Sequence, residues 1–455
     1  MLLALLLASA SEGLAGGYYY SDSGIVALGR GGAWVAGADT QFAQEYNPAG
    51  LVRIERPTIN VGMSQIQQNV GFDRFKAEGG TYKTAENQAA PFLVPQLGFA
   101  TPLPSDLAFA FGFYSPFAPS SEYDPDGPQR YSIIDSAVYK FSVGPSMAWR
   151  PIPQLAVGAG INWQYFSAAQ GVKVTASGVD SPEGDIAVAV QAADTMTFGW
   201  NAGILVEPIP QISIGASVTP PSSYVAKGTA KVDFTGSNLA VLLEEDAYVY
   251  KDDVLLNIEL PWNARMGVAG RPVENVEIEF ALGFQTWSSL QDITVSDIDI
   301  AVKSPLLERT GDNELPDELA LPAGLQDVWS YRLGAEWRVN DPLELRVGGF
   351  YEPGSVPDRE LTVALMDPDK WQIGGGASVY LLDERLRFDA ALAFLLFPDL
   401  EIRNSTITQI DAGVLPDIQP ATVGNGRIRA NGWVFGLQAQ ASFGKKKKTT
   451  DDTEG

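Results

Sequence analysis

Charged side chains recur at every second position in several stretches of this sequence. Glu277 and Glu279 form one such set; Arg332, Glu336 and Arg338, Glu344 and Arg346, and Arg387 and Asp389 form others. In an extended chain that spacing puts the members of a set on one face. With Glu259 and Arg265 they offer opposite charges that can pair with one another, and arginine forks that can hold a carboxylate. Little other chemistry is available. The 455 residues include no His and no Cys, which removes the commonest general base, thiolate catalysis, disulfides and the usual ligands of zinc or iron–sulfur groups. A hydrolase with a Ser–His or His base is excluded on the same ground. We assign no catalytic residue, metal or cofactor. A net charge of −24, from 31 Lys and Arg against 55 Asp and Glu, argues against a nucleic-acid partner, because no positive surplus exists to displace counterions from phosphates.

The elements that would carry these residues alternate with period two. Leu107, Phe109, Phe111 and Phe113 are separated by Ala108, Ala110 and Gly112. Val276 to Phe284, Trp329 to Trp337 and Leu386 to Phe394 show the same rhythm, with the charged residues interleaved among large apolar ones. Such alternation marks β-strands with two unlike faces. The runs are about ten residues long, close to the ~9–11 that a tilted strand needs to cross a bilayer. Trp149, Tyr165, Phe166, Trp262, Trp287, Trp329, Trp371 and Trp433 fall near the strand ends, where ring and N–H can meet acyl tail and headgroup together.

Connections alternate too. Short ones with Pro, Asn or Asp fall at 101–106, 150–154, 207–211, 271–275, 340–342 and 383–385; long polar ones, read as irregular, fall at 67–91, 115–135, 168–194, 220–254, 289–328, 352–368 and 398–431. Thirteen connections imply fourteen strands. Short turns on one rim and long loops on the other are the pattern of an outer-membrane barrel, and an even count leaves both ends of the barrel on the periplasmic side. The expected fold is therefore an all-β, fourteen-stranded antiparallel transmembrane barrel over residues 56–443.

Flanking segments have other characters. Residues 1–10 (MLLALLLASA) form a short apolar run followed by small residues, too short for a membrane-spanning helix and suited to the core of a secretory signal peptide. Residues 1–15 are expected to be that signal. Residues 16–55 are rich in Gly and Ala and do not alternate; inside a wide barrel such a segment would plug the lumen. Residues 444–455 form a polar Lys-rich tail.

Four stretches resemble the long-chain fatty acid transporter (FadL-like) family of outer-membrane proteins. They are Ser23-Gly24 through Leu28-Gly29-Arg30-Gly31-Gly32-Ala33 with Asp39 and Asn47-Pro48-Ala49-Gly50-Leu51; VPQLGFATPLPSDLAFAFGFYSPFAPSSEYD (94–124); LPWNARMGVAGRP with FQTWSSL (260–290); and LRVGGFYEPGSVPDRELTVALMDPDKWQIGGGASVYL (345–381). The resemblance implies a hatch that includes Gly29, Arg30, Asn47, Pro48 and Ala49. It also implies a capture groove among the outer loops and a tighter pocket inside. Candidate ligand-binding residues are Phe117, Tyr123 and Tyr131 in one loop, with Leu239, Val241, Leu242 and Leu243 in the apolar run NLAVLLEEDAYVY of another. Exit is implied to be sideways, beside a kink in the third strand, with Phe111, Gly112, Phe113 and Pro116 around the opening. Pro48 biases Asn47 toward an extended shape, so the pair is placed to set a turn where the hatch meets the first strand.

The expected function is passive uptake of long-chain fatty acids or other hydrophobic molecules by a monomer in the outer membrane. Its partners would be those small molecules, outer-membrane lipid and the barrel assembly machinery. A general porin for polar solutes is the alternative, and an adhesive barrel a third reading. The apolar-leaning residues 16–55 favour a plugged lumen over an open porin, and the apolar run in loop 220–254 does not suit an adhesin.

Overall fold

The structure is a computed structural model that describes residues 24–117, 120–175, 179–234, 248–290, 292–303, 318–322, 324–409 and 420–446. Fourteen antiparallel strands close into a barrel. They are β1 (Thr58–Arg74), β2 (Phe92–Pro102), β3 (Leu107–Phe117), β4 (Asp135–Ile152), β5 (Leu155–Thr175), β6 (Asp185–Ile209) and β7 (Ile212–Thr219), then β8 (Asn263–Val273), β9 (Val276–Gln285), β10 (Val328–Asn340), β11 (Leu343–Glu352), β12 (Lys370–Leu381), β13 (Leu386–Leu396) and β14 (Gly426–Ser442). Each pairs with the next, and β1 meets β14 from Thr58↔Ser442 to Arg74↔Gly426, which closes the ring. Closure leaves no barrel strand without a neighbour on each side, the condition for spanning a bilayer with strands.

Alternation along each strand sorts side chains between two solvents. On β9, Ile278 and Phe280 point outward and are about half exposed, whereas Glu277 and Glu279 point inward and are buried. Trp329, Tyr331 and Leu333 of β10 are outside; Ser330 and Arg332 are inside. This inversion of the soluble pattern is what an apolar bilayer outside and a polar lumen inside require. Trp149, Trp262, Trp329 and Trp371 are exposed at the wall, as a membrane-interface belt needs. Phe166 and Trp287 are not part of that belt. Phe166 is buried against Tyr224, ring centroids 4.6 Å apart. Trp287 is turned inward by a 3-10 turn (Trp287–Ser289), and its Nε1 donates to Gln285 Oε1 at 2.6 Å.

Long loops read from the sequence as irregular are in part strands that carry the barrel's sheet on above the rim. Strand Ser222–Asp233 pairs with the outer half of β6 and with Tyr248–Leu260; the latter pairs with Asp292–Lys303, which pairs with Glu318–Pro322. Val188, Val190, Tyr224, Leu256, Ile258, Trp287, Leu325 and Leu361 make an apolar core beneath this cap. That core gives the loops a fixed shape.

Residues 24–54 lie within the ring of strands and are almost entirely buried. They form α1 (Ile25–Gly29), α2 (Ala43–Tyr46) and a 3-10 helix Pro48–Arg53. Trp34, Phe42, Tyr46, Leu51 and Ile54 pack together and against Ala100, Ala108, Ala110 and Ala148 of β2, β3 and β4.

Candidate functional site

Small residues on the wall let the inner segment come close. Gly31 has φ of +60°, a region that favours glycine, and a Cβ there would lie 2.2 Å from Gly349 N. Across from it, a Cβ on Gly348 would lie 2.2 Å from Arg30 O. Neither position has room for a side chain, so the backbones of residue 31 and β11 touch directly.

Arg30 is fully buried and reaches Glu277 at 3.0 Å, Glu279 at 3.4 Å and Glu336 at 3.7 Å. Glu279 also accepts from the backbone N–H groups of Val35 (2.6 Å), Ala36 (2.9 Å) and Gly37 (2.8 Å). One carboxylate thus binds a cation and three backbone donors, compensation that a buried charge requires. Farther round the wall, Arg346 pairs with Glu336 and Glu344, and Arg387 with Asp389. Most of the charges read from the sequence are therefore paired in the structure, but Glu259 is half-exposed between the buried Ile258 and Leu260 and accepts from Ser223 Oγ at 3.1 Å. Arg30, which the sequence reading placed in the hatch, joins the paired charges.

Asn47 is a second anchor. It is extended (φ −158°, ψ 98°) ahead of Pro48, as an X–Pro step prefers. Its Nδ2 donates to Val35 O at 2.9 Å and Ile204 O at 3.0 Å, while its Oδ1 accepts from Ala49 N at 3.1 Å. Pro48 and Ala49 press against β5, where a Cβ on Gly158 would meet their backbone. Gly29 lies over Gly376 of β12.

A partly open cavity of about 60 Å³ lies between α2 and the wall, lined by Glu45, Tyr114, Lys140, Asn162, Gln164, Asn201, Pro220, Leu260, Arg265, Trp287 and their neighbours. Lys140 and Arg265 are cationic; Tyr114, Leu260 and Trp287 supply apolar and aromatic surface. Arg265 Nη1 donates to Glu45 O at 3.1 Å, and its guanidinium lies 5.1 Å from the Tyr46 ring centroid. The sequence reading named Arg265 among lumen charges but missed Lys140, Tyr114 and Glu45. The signal for Lys140 is a single charge inside the apolar alternation of Val138 to Val143.

Beside this cavity the seam between β2 and β3 is short. Ladder pairs run from Pro102↔Ala108 only to Leu97↔Phe113, while β2 goes on pairing with β1 as far as Phe92. Pro95 on β2 lacks an N–H to donate. On its other side β3 carries an irregularity between Tyr114 and Phe117 where it pairs with β4, and Pro116 lies inside it. Gly112 stays paired on both sides, with Gly98 and Gly144. The space its missing side chain leaves is filled by the Gln41 and Gln44 amides. The irregularity therefore falls at Ser115–Pro116, and Gly112 is a recess for residues 41 and 44. Phe111 faces outward, and Phe113 is half-buried against Phe141 at 5.5 Å between centroids.

At the outer end of the seam an open groove of about 650 Å³ is lined by residues 89–92, 120–123, Pro125 and 134–137, Tyr123 among them. Tyr131 is elsewhere, enclosed in an ion network. Its hydroxyl donates to Asp185 (3.1 Å) and accepts from Arg130 (2.8 Å), and Arg130 also binds Asp185 and Asp180. Burial works to raise the Asp180 carboxyl, but Arg74, the Tyr82 hydroxyl and Arg130 outweigh it and hold the group below its ordinary range. Phe117 pairs through its backbone with Lys140. Leu239, Val241, Leu242 and Leu243 lie outside the described residues.

Comparison with known proteins bears on this arrangement. The sequence model of the family "Outer membrane protein transport protein (OMPP1/FadL/TodX)" matches residues 6–443. The long-chain fatty acid transport protein of Escherichia coli O6:H1 is 21% identical over 384 residues, covering 77% of this chain and 79% of that protein. Among solved structures, a Pseudomonas aeruginosa FadL homologue superposes with a TM-score of 0.74 at 17% identity, covering 94% of this chain and 100% of that one. The P. putida toluene transporter TodX gives a TM-score of 0.67 at 16% identity, covering 94% and 100%.

Proposed function

The chain belongs to the outer membrane protein transport protein (OMPP1/FadL/TodX) family, and from that premise we propose that it admits long-chain fatty acids or related hydrocarbons passively through the outer membrane. The observation that carries this reading is the cavity in which Lys140 and Arg265 stand beside Tyr114, Leu260 and Trp287. Two cations suit a carboxylate, and the apolar surface suits the chain behind it. About 60 Å³ is room for only a few water molecules, each needing ~10–15 Å³ of such space. An acyl chain therefore enters only if residues 24–54 shift.

In this scheme the outer groove at Tyr123 captures the molecule, the cavity receives its head, and movement of the hatch opens the way to the seam between β2 and β3. Sideways exit suits an apolar molecule, because the bilayer solvates it better than the periplasm does. Each buried CH₂ is worth ~0.8 kcal/mol, so transport without an energy source needs a pocket that holds only part of the chain. Residues 1–15 serve as the export signal, the barrel assembly machinery inserts residues 56–443, and the monomer is the working unit.

Cells whose only outer-membrane channel is this protein test the reading. Uptake of a labelled long-chain fatty acid or of toluene, with slow uptake of a small sugar, is the expected result. Fast sugar uptake without either apolar molecule would replace it with the porin reading.

A further inference from the structure

The wall has a second break, on the far side of the cavity from β3. β6 and β7 pair up to Ala202↔Val218. The ladder resumes at Ala193↔Lys227, between the outer half of β6 and strand Ser222–Asp233, in the same register. Between these two points residues 194–201 face 219–226 with no ladder pair. At ~3.3 Å per residue the interruption is roughly 25 Å long.

Its cause is in the sequence. Pro220 and Pro221 fall inside it, and neither has an N–H to give to β6. On the neighbouring strand Pro261 stands opposite Pro221, between the pairs Ser222↔Leu260 and Thr219↔Asn263. Side chains bridge the two lips in place of a ladder. Asp194 Oδ2 accepts from Val225 N at 2.9 Å, and Thr197 Oγ1 donates to Ser223 O at 3.3 Å.

Both surfaces of the break suit passage of an apolar molecule. Behind it, Asn201, Thr219, Pro220 and Ser222 are shared between its lips and the cavity lining. Outside it, Met196 is 74% and Phe198 71% exposed, among the most exposed large apolar residues of the wall, and they continue the outward face of Trp200 and Ile204.

We propose that this break is a second side door, through which a single-chain amphiphile dissolved in the outer leaflet enters the cavity without passing over the loops. Prolines keep the slit from zipping shut, and Asp194 and Thr197 hold its lips at side-chain rather than ladder distance. The molecule's polar head turns inward toward Lys140 and Arg265, and its tail trails between Phe198 and Pro220. This proposal rests on the reading that the cavity takes apolar substrate.

The chain has no cysteine of its own, so a Thr197→Cys, Ser223→Cys pair across the slit can be closed selectively. Fatty acid is supplied within the membrane, and uptake is compared for wild type and for the pair, oxidised and reduced, with heat-modifiable migration showing that each barrel is folded. Loss of uptake on oxidation, restored by reductant, is expected. Wild type that takes up no fatty acid defeats the functional reading itself. Wild-type uptake that persists in the oxidised pair overturns the door alone. Where the disulfide does not form, a diazirine-bearing fatty acid preloaded into the membrane is photolysed and its adducts are mapped. Labelling of 196–201 or 219–222 supports the door, and labelling confined to 92–96 and Tyr114 refutes it.

Discussion

Glu279→Gln should free the hatch without unfolding the barrel. The substitution keeps the shape and one oxygen acceptor, but it puts an NH₂ group where Oε2 now accepts from Gly37 N at 2.8 Å and from Arg30 at 3.4 Å. Breaking a buried charge pair costs about 3–5 kcal/mol. Arg30 retains Glu277 at 3.0 Å and Glu336 at 3.7 Å, so the lower end, about 3 kcal/mol, applies. The loss is local, because the ladder of β9 with β8 and β10 runs through backbone groups that the change does not touch. At 1.4 kcal/mol per factor of ten, the amides of Val35, Ala36 and Gly37 should exchange with solvent about 100-fold faster. Hydrogen exchange read by mass spectrometry on a peptide covering 31–42 measures this, with peptides from β9 and β10 as the internal reference. Unchanged exchange in 31–42 would refute the claim that Glu279 anchors the segment. Equal acceleration in β9 and β10 would refute the claim that the anchor is separable from the wall.

Gly31→Ala should free the same segment by another route, since a Cβ would lie 2.2 Å from Gly349 N at a φ of +60°; a rise in permeability to small antibiotics in cells, with normal heat-modifiable migration, checks it. Lys140→Met should weaken long-chain fatty acid binding about 10- to 100-fold, the worth of a charge-assisted hydrogen bond of ~1.5–3 kcal/mol, and leave toluene binding unchanged; titration of the purified protein in detergent separates the two ligands. The Asp180 carboxyl is held below its ordinary value of 3.8, so its pairing stabilises the outer loops at all pH values above that and is lost as pH falls through the lowered folded value. Asp180→Asn should therefore raise protease cleavage within 75–91 and 179–184 at neutral pH, and wild type should show the same sensitivity only in strong acid.

The wall was legible because its physics is local. Period-two alternation and the strict succession of short and long connections report a barrel with two solvents, and each can be read within about ten residues. The outer strands were not legible for the same reason. Strands Ser222–Asp233 and Tyr248–Leu260 continue the registers of β7 and β8 across Pro220, Pro221 and Pro261, and prolines in a sequence read as the end of a strand rather than a gap within one. Phe166 and Trp287 look like interface aromatics by position, yet the apolar core under the cap turns both inward. Gly112 was readable as a kink or as a small inward residue, and only the amides of residues 41 and 44, some seventy positions earlier in the chain, fix its role as a recess. The cavity draws on residues from 45 to 287, which no spacing rule brings together. Arg30 and Asn47 were reached through family likeness and Glu279 through alternation, but the pairing of Arg30 with Glu279 and of Asn47 with Val35 and Ile204 came from the fold alone.

The central claim is that an apolar molecule crosses only when residues 24–54 move. Val35 of that segment packs against Ala281 of β9, and a Val35→Cys, Ala281→Cys pair can tie the two together in a chain otherwise free of cysteine. Fatty-acid uptake is measured in cells carrying the oxidised pair, before and after reduction. The account predicts no uptake while the tie holds and recovery when it is reduced; uptake at the same rate in both states would contradict it.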